Sequence, residues 1–151
     1  IVVKIPIITA EGTPGLGVIR RLEAEGIRVN ATACLSLSQV MLAAKAGASY
    51  VSIFAGRVSD EGHDAPRLIR QAVDWLREGG HRSRVIVGSI REVINIQDAA
   101  VAGAHIITIP PPFLARMIDH KYSRDTVRGF VADAQKALAE LEKIRAQLVK
   151  A

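Results

Sequence analysis

Short continuous apolar runs alternate along the chain with longer stretches in which apolar residues return every three or four positions, the pattern of strands and helices taken in turn. Ile1 to Ile5 is the first run, closed by Pro6, and predicts a buried strand ending at a loop. After a glycine-rich loop, Leu16 to Glu25 places Leu16, Ile19 and Leu22 on one helical face, and Gly26 is suited to end that helix. Ile27 to Thr32 predicts the second strand, Ser38 to Ala46 an alanine-rich helix stopped by Gly47, and Tyr50 to Phe54 the third strand, with Arg57 at its far end. Asp64 is placed to cap a helix from Ala65 to Glu78 whose Leu68, Ile69, Ala72, Val73 and Leu76 face inward. Val85 to Gly88 predicts strand four, Val93 to Ala102 a helix and His105 to Ile109 strand five; Pro110 to Pro112 then turns the chain into a helix at Phe113 to Ile118. From Arg124 to Val149 a long charged helix carries Val127, Phe130, Val131, Ala134, Leu138, Leu141 and Leu148 as one apolar stripe, suited to packing and to contact between subunits.

The segments Leu42 to Ile53 and Asp98 to Ile109 resemble each other: each is a helix end, then Gly-Ala, then a strand. A repeated helix-to-strand return is the mark of parallel α/β architecture. Five such strands fit either an open doubly wound sheet or part of a barrel, and periodicity does not separate the two. The expected organisation is therefore an α/β domain over residues 1–123 and a C-terminal helix over 124–151.

Composition narrows the function classes. The chain has 151 residues, fewer than the about 250 of a complete (β/α)8 barrel, and it opens on Ile1 inside an apolar run, as a piece of something longer would. No apolar run approaches a membrane span, no secretory leader is visible, and Cys34 is the sole cysteine, so the expectation is a cytoplasmic protein without an internal disulfide. The net charge is +5, but the basic residues are scattered and aromatics are 4% of the chain, which argues against nucleic acid and suits an enzyme acting on anionic metabolites.

Ligands of parallel α/β folds gather at the carboxyl ends of the strands. The residues expected there are Lys4, Asn30, Thr32, Ser52, Arg57, Ser89 and Arg91. A lysine in an apolar strand suits attack on a carbonyl when burial disfavours its ammonium form, although an edge-strand lysine also blocks aggregation. Hydroxyls and an amide suit a polyol, and two arginines near a serine suit a phosphate monoester. Other signals are weaker: Gly12, Gly15 and Gly17 lack dinucleotide or P-loop spacing, and Asp64 beside His63 reads as a helix cap. His81, His105 and His120 have no metal-ligand spacing with one another or with Cys34, so no metal is expected, and Trp75 reads as packing.

Several of these residues sit in ordered motifs: Val2-Val3-Lys4-Ile5-Pro6 followed by Thr9-Ala10-Glu11-Gly12, Glu25 to Thr32, Ser36-Leu37-Ser38-Gln39, Ala43 to Ala48, Ser52-Ile53-Phe54-Ala55-Gly56-Arg57 and Gly88-Ser89-Ile90-Arg91. In that order they resemble the transaldolases, and most the small subfamily that includes the fructose-6-phosphate aldolases. The resemblance runs from Ile1 to about Tyr122 and implies a (β/α)8 TIM barrel of which this chain supplies strands four to eight. It also implies a cofactor-free transfer of a dihydroxyacetone unit between sugar phosphates through a lysine imine, in a homo-oligomer. Residue by residue, Lys4 would be the nucleophile and Thr32 would hold the water used in proton transfer. Asn30 and Ser52 would bind the dihydroxyacetone hydroxyls, and Arg57, Ser89 and Arg91 the phosphate. Phe54 stands where the aldolase branch carries tyrosine, which favours transfer over simple aldol cleavage. The loop from Thr9 to Gly17 is longer than the family's usual connection, and Ile53 replaces a typical proline. Strands one to three, which in the family supply an aspartate, an amide residue and a glutamate, have no counterpart here. Fructose-6-phosphate aldolase-type cleavage and a non-catalytic phosphate-binding protein are the alternatives.

Overall fold

The computed structural model describes residues 1–148, so Val149, the expected end of the long helix, lies outside them. The chain divides into two units, Ile1–Phe113 and a second beginning at Leu114. The first is built on five parallel strands, β1 (Val3–Pro6), β2 (Val29–Cys34), β3 (Tyr50–Phe54), β4 (Arg84–Gly88) and β5 (Ile106–Ile107). Between them run α1 (Leu16–Ala24), α2 (Leu37–Lys45), α3 (Ala55–Asp60), α4 (Ala65–Glu78) and α5 (Val93–Val101), and α6 (Pro111–Ile118) follows β5.

The strand order is β1-β2-β3-β4-β5, each strand beside the one before it. A doubly wound sheet reverses its order at a switch point; a sequential order with right-handed crossovers puts every connecting helix on one face. The helices accordingly pack in chain order, α1 on α2, α2 on α4 and α4 on α5. This is the wall of a partial (β/α)8 barrel, and it decides what periodicity left open.

Side-chain alternation then divides the strands. Val29, Ala31, Val51, Ile53, Val85 and Val87 are fully buried under the helices, where Ile19, Val40, Ile69 and Leu76 meet them. The alternate positions, including Lys4, Asn30, Tyr50 and Ile86, line the opposite, open face. One irregularity interrupts the alternation: Ala31 pairs with Val51 and Cys34 with Ile53, so Thr32 and Ala33 together oppose Ser52 in a bulge. Ala33 takes up the extra residue with φ 61, and Cys34 thereby returns to the buried face.

Helix starts follow side-chain chemistry. Asp64 accepts a hydrogen bond from Arg67 N at 2.9 Å and caps α4, as its sequence predicts, and Ser36 caps α2 by accepting from Gln39 N at 3.3 Å. Three expectations are corrected. The first strand is the sheet edge, half-buried and exposed in alternation rather than buried, because no strand flanks it on its outer side. The fifth strand covers only Ile106–Ile107, since Val87 is the last residue of β4 that pairs with it. Arg57 lies on α3 rather than at a strand end, and α3 has no apolar periodicity by which its Ala-Gly-Arg-Val-Ser-Asp sequence announces a helix.

In the second unit, α7 (Lys121–Leu148) begins before the expected Arg124, and Val127, Phe130, Val131, Leu138, Leu141 and Leu148 are exposed along it. Its charged positions pair at helical spacing, Arg128 with Asp125 at 2.8 Å and Lys143 with Glu140 at 3.8 Å. Among the described residues no helix is long and apolar enough to cross a membrane.

Leu76 is 2% exposed in the helix-to-sheet core. Leu76→Ala is expected to lower the unfolding free energy by about 2–5 kcal/mol in urea denaturation; a loss under about 1 kcal/mol would mean that this layer is not the core.

Candidate active site

The open face carries a depression of about 300 Å³ lined by Val2, Lys4, Asn30, Tyr50, Ile86 and Ile106. Lys4 and Asn30 are register partners on adjacent strands, so their side chains emerge side by side. Lys4 is exposed here, not enclosed by apolar neighbours as a buried first strand would have it. Asn30 is 8% exposed and accepts a hydrogen bond at Oδ1 from Ser52 Oγ at 2.8 Å. That bond fixes the amide orientation and leaves the Asn30 NH2 group as donor.

Thr32 is the next open-face residue of β2 and pairs with Pro6 in register. Its Oγ1 is buried and has no hydrogen-bond partner among the described residues. A buried hydroxyl left unpaired costs about 1–3 kcal/mol, so such a group stands ready for a water or a ligand atom. The bulge and left-handed Ala33 immediately after it set its position.

The arginines gather beyond the carboxyl ends of β3 and β4. Arg57 lies with its guanidinium carbon 5.4 Å from the centre of the Phe54 ring, a cation–π contact that also restricts the half-buried ring. Arg91 donates from Nη2 to Asp60 Oδ2 at 3.0 Å, so both arginines are tied to α3, one by sequence and the other by this pair. Gly56 makes the approach feasible: a β-carbon there would overlap the Ser89 carbonyl oxygen and lie 2.9 Å from Arg91 Cγ and Ser89 Oγ. Ser89 itself holds φ 60, a left-handed value uncommon for serine. Asn95 Oδ1 accepts from Arg91 N at 3.1 Å and Glu92 N at 2.9 Å, pinning the loop to α5. Asp60 and Gly56 were not among the sequence candidates. Asp60 sits at helical i,i+3 spacing from Arg57, a signal visible only once α3 is known.

The loop after β1 is a stapled turn. Ile8 bridges Pro14, Thr9 N donates to Thr13 O at 2.9 Å, and Ile7 N donates to Thr32 O at 2.9 Å. Gly15 packs so closely on Pro6 that a β-carbon would overlap the Pro6 carbonyl oxygen. A hydrogen bond from Thr9 holds the Glu11 carboxyl below the usual carboxylate range.

The remaining candidates lie elsewhere. His105 accepts at Nδ1 from Val85 N at 3.0 Å, and burial together with the Arg84 charge lowers its pKa, favouring the neutral acceptor. Trp75 stacks on His81 at 4.5 Å. Among the described residues no three His, Cys, Asp or Glu side chains are grouped to hold a metal ion.

A sequential parallel sheet with helices on one face, and lysine, amide and hydroxyl groups on the other, defines a (β/α)-barrel protein with a polar open face. Lys4 and Asn30 are the second residues of β1 and β2, in register with Tyr50 at the start of β3, and not at the carboxyl ends where they were expected. The family model described as Transaldolase/Fructose-6-phosphate aldolase matches residues 1–150, and the chain belongs to that family. Among curated relatives, a probable transaldolase of Dehalococcoides mccartyi is 43% identical over 133 residues, covering 88% of this chain and 60% of the relative. A probable transaldolase of Pelotomaculum thermopropionicum is 43% identical over 136 residues, 90% of this chain and 61% of the relative. One of Nitrosopumilus maritimus is 37% identical over 147 residues, 96% and 64%. The chain thus spans 60–64% of the length of these relatives.

Two measurements probe this geometry. Gly56→Ala is expected to cost about 1–3 kcal/mol in denaturant unfolding, because the Ser89 loop must shift to admit a methyl group; an unchanged midpoint would mean the approach is loose. Burial pushes the Cys34 thiol from 9.0 up to about 12, so its folded form binds the proton more tightly than the unfolded chain does. Its stabilising contribution is fully present below about pH 9 and declines as pH rises toward 12. Native protein should therefore resist iodoacetamide at mildly alkaline pH and react once unfolded; rapid alkylation of the folded chain would contradict the burial.

Proposed function

We propose that this chain carries the imine-forming part of a transaldolase site, with Lys4 as nucleophile. The supporting observation is the adjacency of Lys4 to the Asn30–Ser52 pair on one open sheet face. Lys4 Nζ attacks the ketose carbonyl and water leaves, giving a protonated imine. As the C3–C4 bond breaks, its electron pair moves to the imine nitrogen through the enamine, and the C4 hydroxyl loses its proton as an aldehyde forms. The aldose phosphate departs, the enamine attacks a second aldose phosphate, and hydrolysis frees Lys4.

The other residues divide the remaining work. The Asn30 amide and Ser52 hydroxyl suit the dihydroxyacetone hydroxyls, and the unpaired Thr32 Oγ1 suits the water that carries protons. Arg57, Ser89 and Arg91 suit the phosphate, with Arg91 exchanging Asp60 for it at small cost, since exposed ion pairs are worth about 0–1 kcal/mol. Phe54, with no hydroxyl to support a water and its ring held by Arg57, favours transfer to a second sugar over simple cleavage. The protein is proposed to act in the cytoplasm as a homo-oligomer, with the exposed α7 stripe as a subunit contact. Residues 1–123 would form the barrel part and 124–151 the contact segment, of which 149–151 lie outside the described residues.

Borohydride treatment with fructose 6-phosphate, followed by peptide mapping, tests the reading. A reduced adduct on Lys4 that disappears in Lys4→Arg is expected; a folded protein giving no adduct, or one giving it in the variant, would overturn it. Arg57→Ala should raise KM for phosphorylated acceptors by about tenfold or more while sparing unphosphorylated dihydroxyacetone, the effect of losing a charge-assisted bond. Equal losses for both would remove Arg57 from phosphate binding.

A further inference from the structure

A cleft of about 580 Å³ lies at the amino ends of β2, β3 and β4, the opposite end of the sheet from Arg57, Ser89 and Arg91. That volume is in the range of small-molecule sites. Arg28, Arg82 and Arg84 line it together with His81 and Tyr50, and its acidic lining residue is Glu23. The Glu23 carboxylate is already occupied: it accepts from Val29 N and Ser49 N, each at 2.7 Å, and from Ser49 Oγ at 3.0 Å.

An arginine at this end of a barrel commonly caps helix carbonyls, and Arg70 does so, donating to Val101 O at 3.1 Å. Around the cleft that role is taken. Gly26 N donates to Glu23 O, Gly47 N to Ala44 O and Gly80 N to Arg77 O, while Ile27 N, Ala48 N and His81 N close the preceding carbonyls of α1, α2 and α4. The side chains of Arg28, Arg82 and Arg84 have neither a carboxylate nor a carbonyl partner among the described residues, and the Arg84 charge is felt at His105. Three exposed arginines thus line one recess, in which the Glu23 carboxylate is already engaged by backbone and serine donors.

We propose that this cleft binds a small phosphorylated anion, its phosphate oxygens taken by the forks of Arg28, Arg82 and Arg84. Guanidinium groups suit phosphate because they present paired donors in a plane, and more than one fork suits a dianion or a diphosphate. The inference does not depend on the imine chemistry.

Trp75 supplies a reporter. It is the single tryptophan, and its ring stacks at 4.5 Å on His81, which lines the cleft. Titration of the protein with pyrophosphate at constant ionic strength, with chloride as control, is expected to give a saturable change in Trp75 fluorescence. Arg82→Ala/Arg84→Ala should weaken it by about tenfold or more, and Arg57→Ala should leave it unchanged. A change that does not saturate, equal binding by the double variant, or loss of binding in Arg57→Ala would overturn the site. Should circular dichroism show the double variant unfolded, Arg28→Gln takes its place, and wild-type affinity in that variant overturns the proposal.

Discussion

The constraint on which the rest depends is the handedness of the connection between parallel strands. Because each strand follows its predecessor at the same edge, right-handed crossovers deliver every helix to one side of the sheet. One set of alternate residues is then buried by helices and must be apolar, as Val51, Ile53, Val85 and Val87 are. The other set is released from that demand. Lys4, Asn30, Thr32 and Ser52 would each disrupt a helix-facing layer; on the open face they stand beside one another because register, not sequence distance, sets their spacing.

Alternation alone leaves the strand ends too regular for a site, and local departures reshape them. At β2 the bulge with left-handed Ala33 lets Cys34 stay in the core while Thr32 keeps the open face. After β4, left-handed Ser89 turns the chain so that its carbonyl rests on Gly56, and α3 comes close enough for Asp60 to hold Arg91. Left-handed non-glycine residues cost about 1–2 kcal/mol each and persist only where their surroundings fix them. The surroundings are visible: the hydrogen bonds of Asn95 on one side, the core pairing of Cys34 with Ile53 on the other.

These departures mark the limit of what the sequence discloses. The β3 bounds, the Asp64 cap and the extent of α4 follow from local chemistry and were readable, because periodicity and a capping carboxylate act within a few residues. The choice of barrel over doubly wound sheet depends on which strands are neighbours, which no local signal carries. The half-exposed state of β1 is not legible in the sequence, because an apolar run looks alike at an edge and in a centre. Lys4, Asn30 and Ser52 could be picked by residue type and strand position, yet the Ser52 to Asn30 bond and the unpaired Thr32 hydroxyl are products of register and bulge. Nothing local in the sequence marks Gly56 as the point where the chain meets Ser89, far along it.

Charge is distributed by the same geometry. Helices that follow strands point their amino ends toward the strand carboxyl ends, so backbone dipoles reinforce Arg57 and Arg91 where anionic groups are expected. The other end receives helix carboxyl ends, whose carbonyls would ordinarily attract arginines. Glycines at 26, 47 and 80 adopt left-handed conformations with φ 78, 97 and 64, and the turns they make close those carbonyls with backbone N–H groups. Glu23, spent on the starts of β2 and β3, ties the same turns together. Arg70 and Arg77 find partners there in Val101 O and Asp74, while the side chains of Arg28, Arg82 and Arg84 have no carboxylate or carbonyl partner among the described residues. A chain of net charge +5 thereby presents positive groups at both ends of one sheet, for reasons that differ at each.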